Sequence, residues 1–326
     1  MNRRFLPHLM ALLLAALPAA SVDAQDYPTK TIRIVSPYTA GGGNDTMSRL
    51  LAEKLTTAFG QPVIVENRPG GNTMIANEIA SKAPPDGYTL IMNGDAMVTN
   101  PYFYAKIPYD SAKDIVPVAL LGFSQLVLVA NPNVPAQDAR ELVALAKAKP
   151  GTLNFGTSGH GGPDHLVNLQ FNQLAGVNIA LIPYKGSSLA INDLLGGQVQ
   201  LMITPLAAVQ PHIKAGKLKL IAFVSQERSP AYPDVQTLTE AGISSNDTWW
   251  HGLMAPAGTP PRVIARLAEE IRKIHKQPDV QEKFKAMGIG VPDEAQFGTP
   301  EKFGALLREK LARNASIARQ AGIRAE

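Results

Sequence analysis

Two segments carry residue types suited to holding an anion. They are Pro37-Tyr38-Thr39-Ala40-Gly41-Gly42-Gly43-Asn44-Asp45 and Gly156-Thr157-Ser158-Gly159-His160-Gly161-Gly162-Pro163-Asp164. Each joins a short apolar run to a helical stretch. Glycine lacks a Cβ, so backbone N–H groups there approach a ligand closely, and the positive end of the following helix favours negative charge. A carboxylate is the natural guest. The candidate contacts are Tyr38, Thr39, Ala40, Gly41, Gly42 and Asp45 in the first segment, and Thr157, Ser158, Gly159 and His160 in the second. Tight strand-to-helix turns are the plainer alternative, although three adjacent glycines exceed what a turn requires.

Other chemistries find less support. Neither segment reads G-x-x-x-x-G-K-[ST], and G-x-G-x-x-G fails because Asp164 stands where its third glycine would fall. Gly156-Thr157-Ser158-Gly159-His160 lacks the final glycine of a nucleophile elbow, which leaves an exported hydrolase using Ser158 and His160 as a competing reading. His160, Asp164 and His165 do not form an H-E-x-x-H pattern, and the chain has no cysteine, so no metal site and no cofactor are expected. Asp95, Lys185 and Thr204 each follow an apolar run and are further candidates. A carboxylate at position 95 that faces a cleft repels an acid unless protonated or paired, and welcomes an amine or amide. Trp249-Trp250 suit packing between domains or stacking on a flat ligand.

The elements that must position these residues alternate between strand and helix. Strands are predicted over 31–36, 63–65, 88–92, 126–130, 153–155, 178–182, 199–203 and within 217–224. Helices are predicted over 44–58, 73–81, 136–147, 164–174, 187–195 and 209–215, with three helical stretches after Pro261. Alternation of this kind builds βαβ units with a mostly parallel sheet flanked by helices. No fixed-period repeat is present. With 326 residues, 45% of them hydrophobic, the chain is long enough for two such α/β domains. Its net charge of +4 argues for neither nucleic acid nor a membrane surface as partner. The first 24 residues read as a signal peptide: Arg3 and Arg4, an apolar run from Leu9 to Leu17, and Val22-Asp23-Ala24 ahead of a cleavage site. Export to the periplasm is the expectation.

Several ordered motifs resemble one family. Tyr27-Pro28-Thr29-Lys30, Ala40-Gly41-Gly42, Val65-Glu66-Asn67-Arg68-Pro69-Gly70, Pro84-Pro85-Asp86-Gly87-Tyr88-Thr89, Pro183-Tyr184-Lys185-Gly186, Gly196-Gly197-Gln198-Val199 and Ala255-Pro256-Ala257-Gly258-Thr259-Pro260 are similar to the Bug-type periplasmic receptors of tripartite tricarboxylate transporters. The resemblance implies a type II-like clamshell of two α/β domains, with the chain crossing twice. Domain 1 would comprise residues 25–124 plus 250–326, and domain 2 residues 125–249. It further implies a monomeric, non-enzymatic receptor that binds a small organic acid and delivers it to membrane permease subunits, or whose loaded form signals to a membrane sensor. The sequence departs from the family at Asn93-Gly94-Asp95, where small hydroxyl residues are usual, and at Thr204, where an acidic residue is common.

Overall fold

The computed structural model describes residues 27–245 and 247–325, so the signal-peptide reading lies outside the described residues. The chain runs β1 (Ile32–Ser36), α1 (Gly43–Phe59), β2 (Val63–Asn67), a 3-10 turn (Gly71–Thr73), α2 (Met74–Ser81), β3 (Thr89–Gly94) and α3 (Ala96–Phe103). The long β4 (Ile115–Ala130) follows, then α4 (Ala139–Ala148), β5 (Asn154–Thr157), α5 (Pro163–Ala175), β6 (Ala180–Pro183), α6 (Ser187–Leu195), β7 (Leu201–Pro205), α7 (Leu206–Lys214) and β8 (Lys219–Phe223). It returns through β9 (Thr248–Pro256), α8 (Pro261–His275), α9 (Pro278–Ala286), β10 (Ile289–Gly290), α10 (Glu294–Phe297) and α11 (Pro300–Gln320). Among the described residues, no helix is long and apolar enough to cross a membrane.

β4 belongs to two sheets. Residues 115–125 pair antiparallel with β9, which pairs antiparallel with β3, and β1 and β2 complete a parallel flank. From Leu126 onward β4 pairs instead with β7 and β8, and β5 and β6 form a second parallel flank beyond β7. Two lobes result, joined by β4 and by the entry into β9. Each sheet is covered on both faces. In the first lobe, Ile34, Leu51 and Leu267 pack on one side, while Val35, Met97 and Phe303 pack on the other. In the second, Leu128 and Phe171 oppose Val129 and Leu194. The two tryptophans divide between them. Trp249 packs against the second lobe's core, and Trp250 lies fully buried in the first, its ring 5.3 Å from Phe303.

The register fixes where the functional loops lie. Gly94 at the end of β3 pairs with His251 near the start of β9, and His251 in turn pairs with Gly122 of β4. A short way along β4, Val127 pairs with Thr204 at the end of β7. The carboxyl edges of both parallel flanks therefore meet at the lobe junction, the position where open α/β sheets bind ligands.

The largest departures from the sequence expectations lie in the first lobe and at the crossings. β4 begins at Ile115 rather than Leu126, β9 is a full strand, and α3 follows Asp95.

Candidate functional site

The first loop leaves β1 and is shaped by Asp45. This buried carboxylate accepts the Gly41 N–H at 2.9 Å and Arg49 Nε at 2.9 Å on Oδ2, and Asn67 Nδ2 at 2.7 Å on Oδ1. Burial pushes the group up, but Arg49, the Gly41 amide and Asn67 together bring it down to about 2. Asp45 thus works inside the protein and removes the Gly41 amide from those open to a ligand. Gly41 has φ +84°, a conformation glycine adopts without strain. Gly42 caps α1 without any side-chain cap, so the first-turn amides stay open to a bound anion. Thr39, Ala40 and Gly41 are exposed. Tyr38 turns inward. A Cβ at Gly94 would stand 3.5 Å from its hydroxyl, and burial with the nearby charge of Asp95 raises the phenol.

The second loop repeats the device. Buried Asp164, in the first turn of α5, accepts Ser158 N–H at 2.5 Å and the Ser158 hydroxyl at 2.6 Å. Burial raises Asp164 to about 6 despite those bonds. Gly162 caps α5, again with no side-chain cap, and Pro163 opens the helix. Thr157 is fully buried, its hydroxyl 3.5 Å from the Gly159 carbonyl. His160 is exposed, its ring 5.2 Å from His165 and 5.5 Å from Phe103. The Ser158 hydroxyl therefore donates to Asp164 and not to an imidazole, so the Ser158–His160 pair that the hydrolase reading requires is not formed. Among the described residues, no group of three or more His, Asp or Glu is placed to hold a metal ion.

Three other candidates separate by position. Lys185 is exposed in the turn after β6 and shares its peptide neighbourhood with the second loop, since Tyr184 N–H donates to Thr157 O and Gly186 N–H to Ser158 O. Thr204 is 1% exposed and its hydroxyl has no hydrogen-bond partner, a free donor at the carboxyl edge of β7. Asp95 is occupied. Its Oδ2 takes the Trp250 N–H at 2.6 Å and its Oδ1 takes Lys310 Nζ at 2.9 Å, which also reaches Asp247 at 3.1 Å and the Thr248 carbonyl at 2.7 Å. Arg313 completes the group on Asp247 at 2.8 Å. Asp95 thus ties α3 and α11 to the second crossing and leaves neither oxygen for an amine ligand.

A second polar chain crosses the same junction. His251 is buried, its Nδ1 is 2.9 Å from Asn44 Oδ1 in the first turn of α1, and its Nε2 is 2.7 Å from the Ser124 hydroxyl on β4. With the Asn44 oxygen as acceptor, Nδ1 carries the proton and Nε2 accepts from Ser124. Burial lowers His251 to about 4, so the ring is neutral near pH 7. Sequence reading missed Asn44, His251 and Ser124 as a set, because only the crossing strands bring them together.

Two α/β lobes joined by two crossings, with glycine loops at facing sheet edges and an open helix start at α1, define a two-lobed solute-binding protein. The sequence profile described as tripartite tricarboxylate transporter family receptor matches residues 47–323, and the chain belongs to that family. It is 35% identical over 307 residues to the protein BugT of Bordetella pertussis, covering 93% of each chain. Among solved structures, it resembles Rpa4515 of R. palustris with adipate, at 29% identity and TM-score 0.82, over 92% of this chain and all of that one. It also resembles MatC of Rhodopseudomonas palustris with bound malate, at 30% identity and TM-score 0.79, over 90% of this chain and all of that one.

Proposed function

We propose that this chain captures a small organic acid between its lobes and delivers it to the permease subunits of a tripartite tricarboxylate-type transporter. The lobes are assigned as residues 25–124 plus 250–326 and residues 125–249. One observation carries the reading. Each lobe presents a glycine loop whose own aspartate, Asp45 or Asp164, fixes the loop from inside, while the start of α1 beside the first loop lacks a side-chain acceptor. A carboxylate satisfies such a helix start. Charge-assisted bonds contribute roughly 1.5–3 kcal/mol each before ordering losses, so a handful reach micromolar affinity, about 8 kcal/mol. Relatives that hold adipate and malate support a dicarboxylate. The donors assigned are the amides of Gly43 and Asn44 and those around Gly159, the Thr39 and Thr204 hydroxyls, and Lys185 at the rim, the Gly42 amide being turned to the Thr39 carbonyl at 3.4 Å. Asp95, by contrast, belongs to the junction.

Calorimetry with adipate and malate tests this. Gly42 has room for a Cβ, its nearest neighbour being the Thr39 carbonyl at 3.5 Å, and its φ of −76° suits any residue. Gly42→Val should therefore fold normally yet weaken binding well over tenfold, by blocking the close approach of the ligand. Lys185→Ala should weaken it only a few-fold. A loss beyond about a hundredfold for Lys185→Ala would place the anion on a cation rather than on amides, overturning the assignment. The protein is further proposed to act in the periplasm after cleavage behind Ala24, for which an intact mass beginning at Gln25 is the expected result.

A further inference from the structure

Asn72 and Thr73 are the only non-glycine residues with positive φ among the described residues, at 46° and 75°. Thr73 is β-branched and buried, which makes a left-handed backbone there costly. Such a pair persists only where its surroundings dictate it. Here Asn72 Nδ2 donates to Asn100 Oδ1 at 2.7 Å, Asn100 Nδ2 returns a bond to the Asn72 carbonyl at 2.8 Å, and Asn77 holds the Thr73 carbonyl at 3.0 Å. All four residues lie in the first lobe.

The strained turn aims the Asn72 carboxamide across the junction. Its Nδ2 also donates to the Gly161 carbonyl of the second lobe at 3.1 Å. The Thr99 hydroxyl lies 3.4 Å from that same oxygen, and the Tyr104 hydroxyl donates to the His160 carbonyl at 3.1 Å. Gly161 itself, at φ +70°, sits so close to Phe103 that a Cβ would fall 2.8 Å from the Phe103 Cβ. First-lobe donors thus take two successive carbonyls of the second glycine loop. In a planar trans peptide the N–H points opposite to the C=O, so holding these carbonyls sets the direction of the Gly161 amide and of the Gly162 amide, which closes the loop on the Gly159 carbonyl at 3.2 Å.

We propose that Asn72 is a positioning residue for the second-lobe half of the ligand site, supplied by the first lobe, so that this half takes its binding shape only while the lobes are together. The proposal rests on the capture of an organic acid argued above. Bound acid then leaves by way of a broken Asn72–Gly161 contact.

The test uses Asn72→Ala and Asn72→Gly, the second of which removes the carboxamide while easing the positive φ, and so preserves folding. With whichever of adipate and malate binds the wild type, both variants should release ligand at least tenfold faster, with association rates within about twofold and the melting temperature of Asn72→Gly unchanged or higher. A lowered melting temperature with an unchanged release rate would make Asn72 merely structural and overturn the proposal. Hydrogen exchange of residues 156–164 in the unliganded protein supplies a readout independent of ligand. At least tenfold faster exchange in Asn72→Gly supports the positioning role, and unchanged exchange overturns it. If neither acid binds the wild type, the capture reading fails by its own measurement, while the exchange result still decides whether Asn72 shapes the loop.

Discussion

Lys310→Met is expected to lower the stability of the protein by about 3–5 kcal/mol, because it leaves two buried carboxylates without their shared cation. Lys310, Asp95 and Asp247 are each no more than 6% exposed, and the ammonium bonds both carboxylates and the Thr248 carbonyl. Methionine replaces the apolar stem and removes the ammonium, so the loss reports Asp95 without a cation, Asp247 with Arg313 alone and the Thr248 carbonyl without its donor rather than a large cavity. Adding Asp95→Asn should recover part of it. The deficit should also shrink on acidification, since burial first and Asp247 second push Asp95 up to about 6 even with Lys310 in place, and protonation neutralises the group. Urea unfolding at pH 8 and pH 5 gives both numbers. A deficit under 1 kcal/mol at pH 8 would mean that water reaches these charges.

The second large effect is a dependence on pH at His251. Its folded value is depressed by burial to about 4, against about 6.5 in the unfolded chain. Between those values the unfolded state binds a proton that the folded state refuses, so stability falls as pH drops from about 6.5 to about 4. The shift corresponds to roughly 3 kcal/mol in full. His165 and His275, also lowered to about 4, act with the same sign, whereas Asp95 and Asp164, raised to about 6, act oppositely between about pH 4 and 6. The wild type's net slope is therefore composite. The difference between wild type and His251→Gln isolates the one group: the variant should start less stable at pH 7, having lost its bonds to Asn44 and Ser124, and the gap should narrow steadily toward pH 4. A gap constant with pH would show that the ring is charged throughout or solvated.

Much of the architecture was legible because local signals agreed. Apolar runs such as Ile32–Ser36 and Leu126–Ala130, the glycine stop at Gly60 with φ +65° and the amphipathic α8 all follow from period and cap chemistry. The first half of β4 was hidden because Pro117, Gly122 and Ser124 break its pattern, and its pairing with β9 shifts register twice between Pro117 and Gly122. β9 was hidden for the opposite reason. Lying between β3 and β4, it is buried along nearly its whole length and shows no alternation, and Gly252 within it makes way for the Phe303 ring. α3 carries Pro101 and has six of its eight residues buried, so neither cap nor polar face marks it. The loops that could hold an anion were visible as glycine clusters, but the destinations of Asp45, Asp95 and Asp164 were not. A carboxylate near a glycine loop reads equally as a ligand contact or as a bolt, and only the positions of Gly41, Lys310 and Ser158 distinguish the two. Asn72 gave no signal, since backbone strain leaves no trace in residue order.

The place of β9 bears on how the chain reaches this structure. It is made late, after the entire second lobe, yet it fills the middle of the first lobe's sheet, between β3 and β4. Until Thr248–Pro256 is present, β3 and the first half of β4 each expose an unpaired, largely apolar edge. The second lobe, uninterrupted between the two crossings, can condense from its own contacts, while the first waits for pairings between residues more than a hundred positions apart. The expected order of folding therefore runs against the direction of the chain, with the part that begins first finishing last.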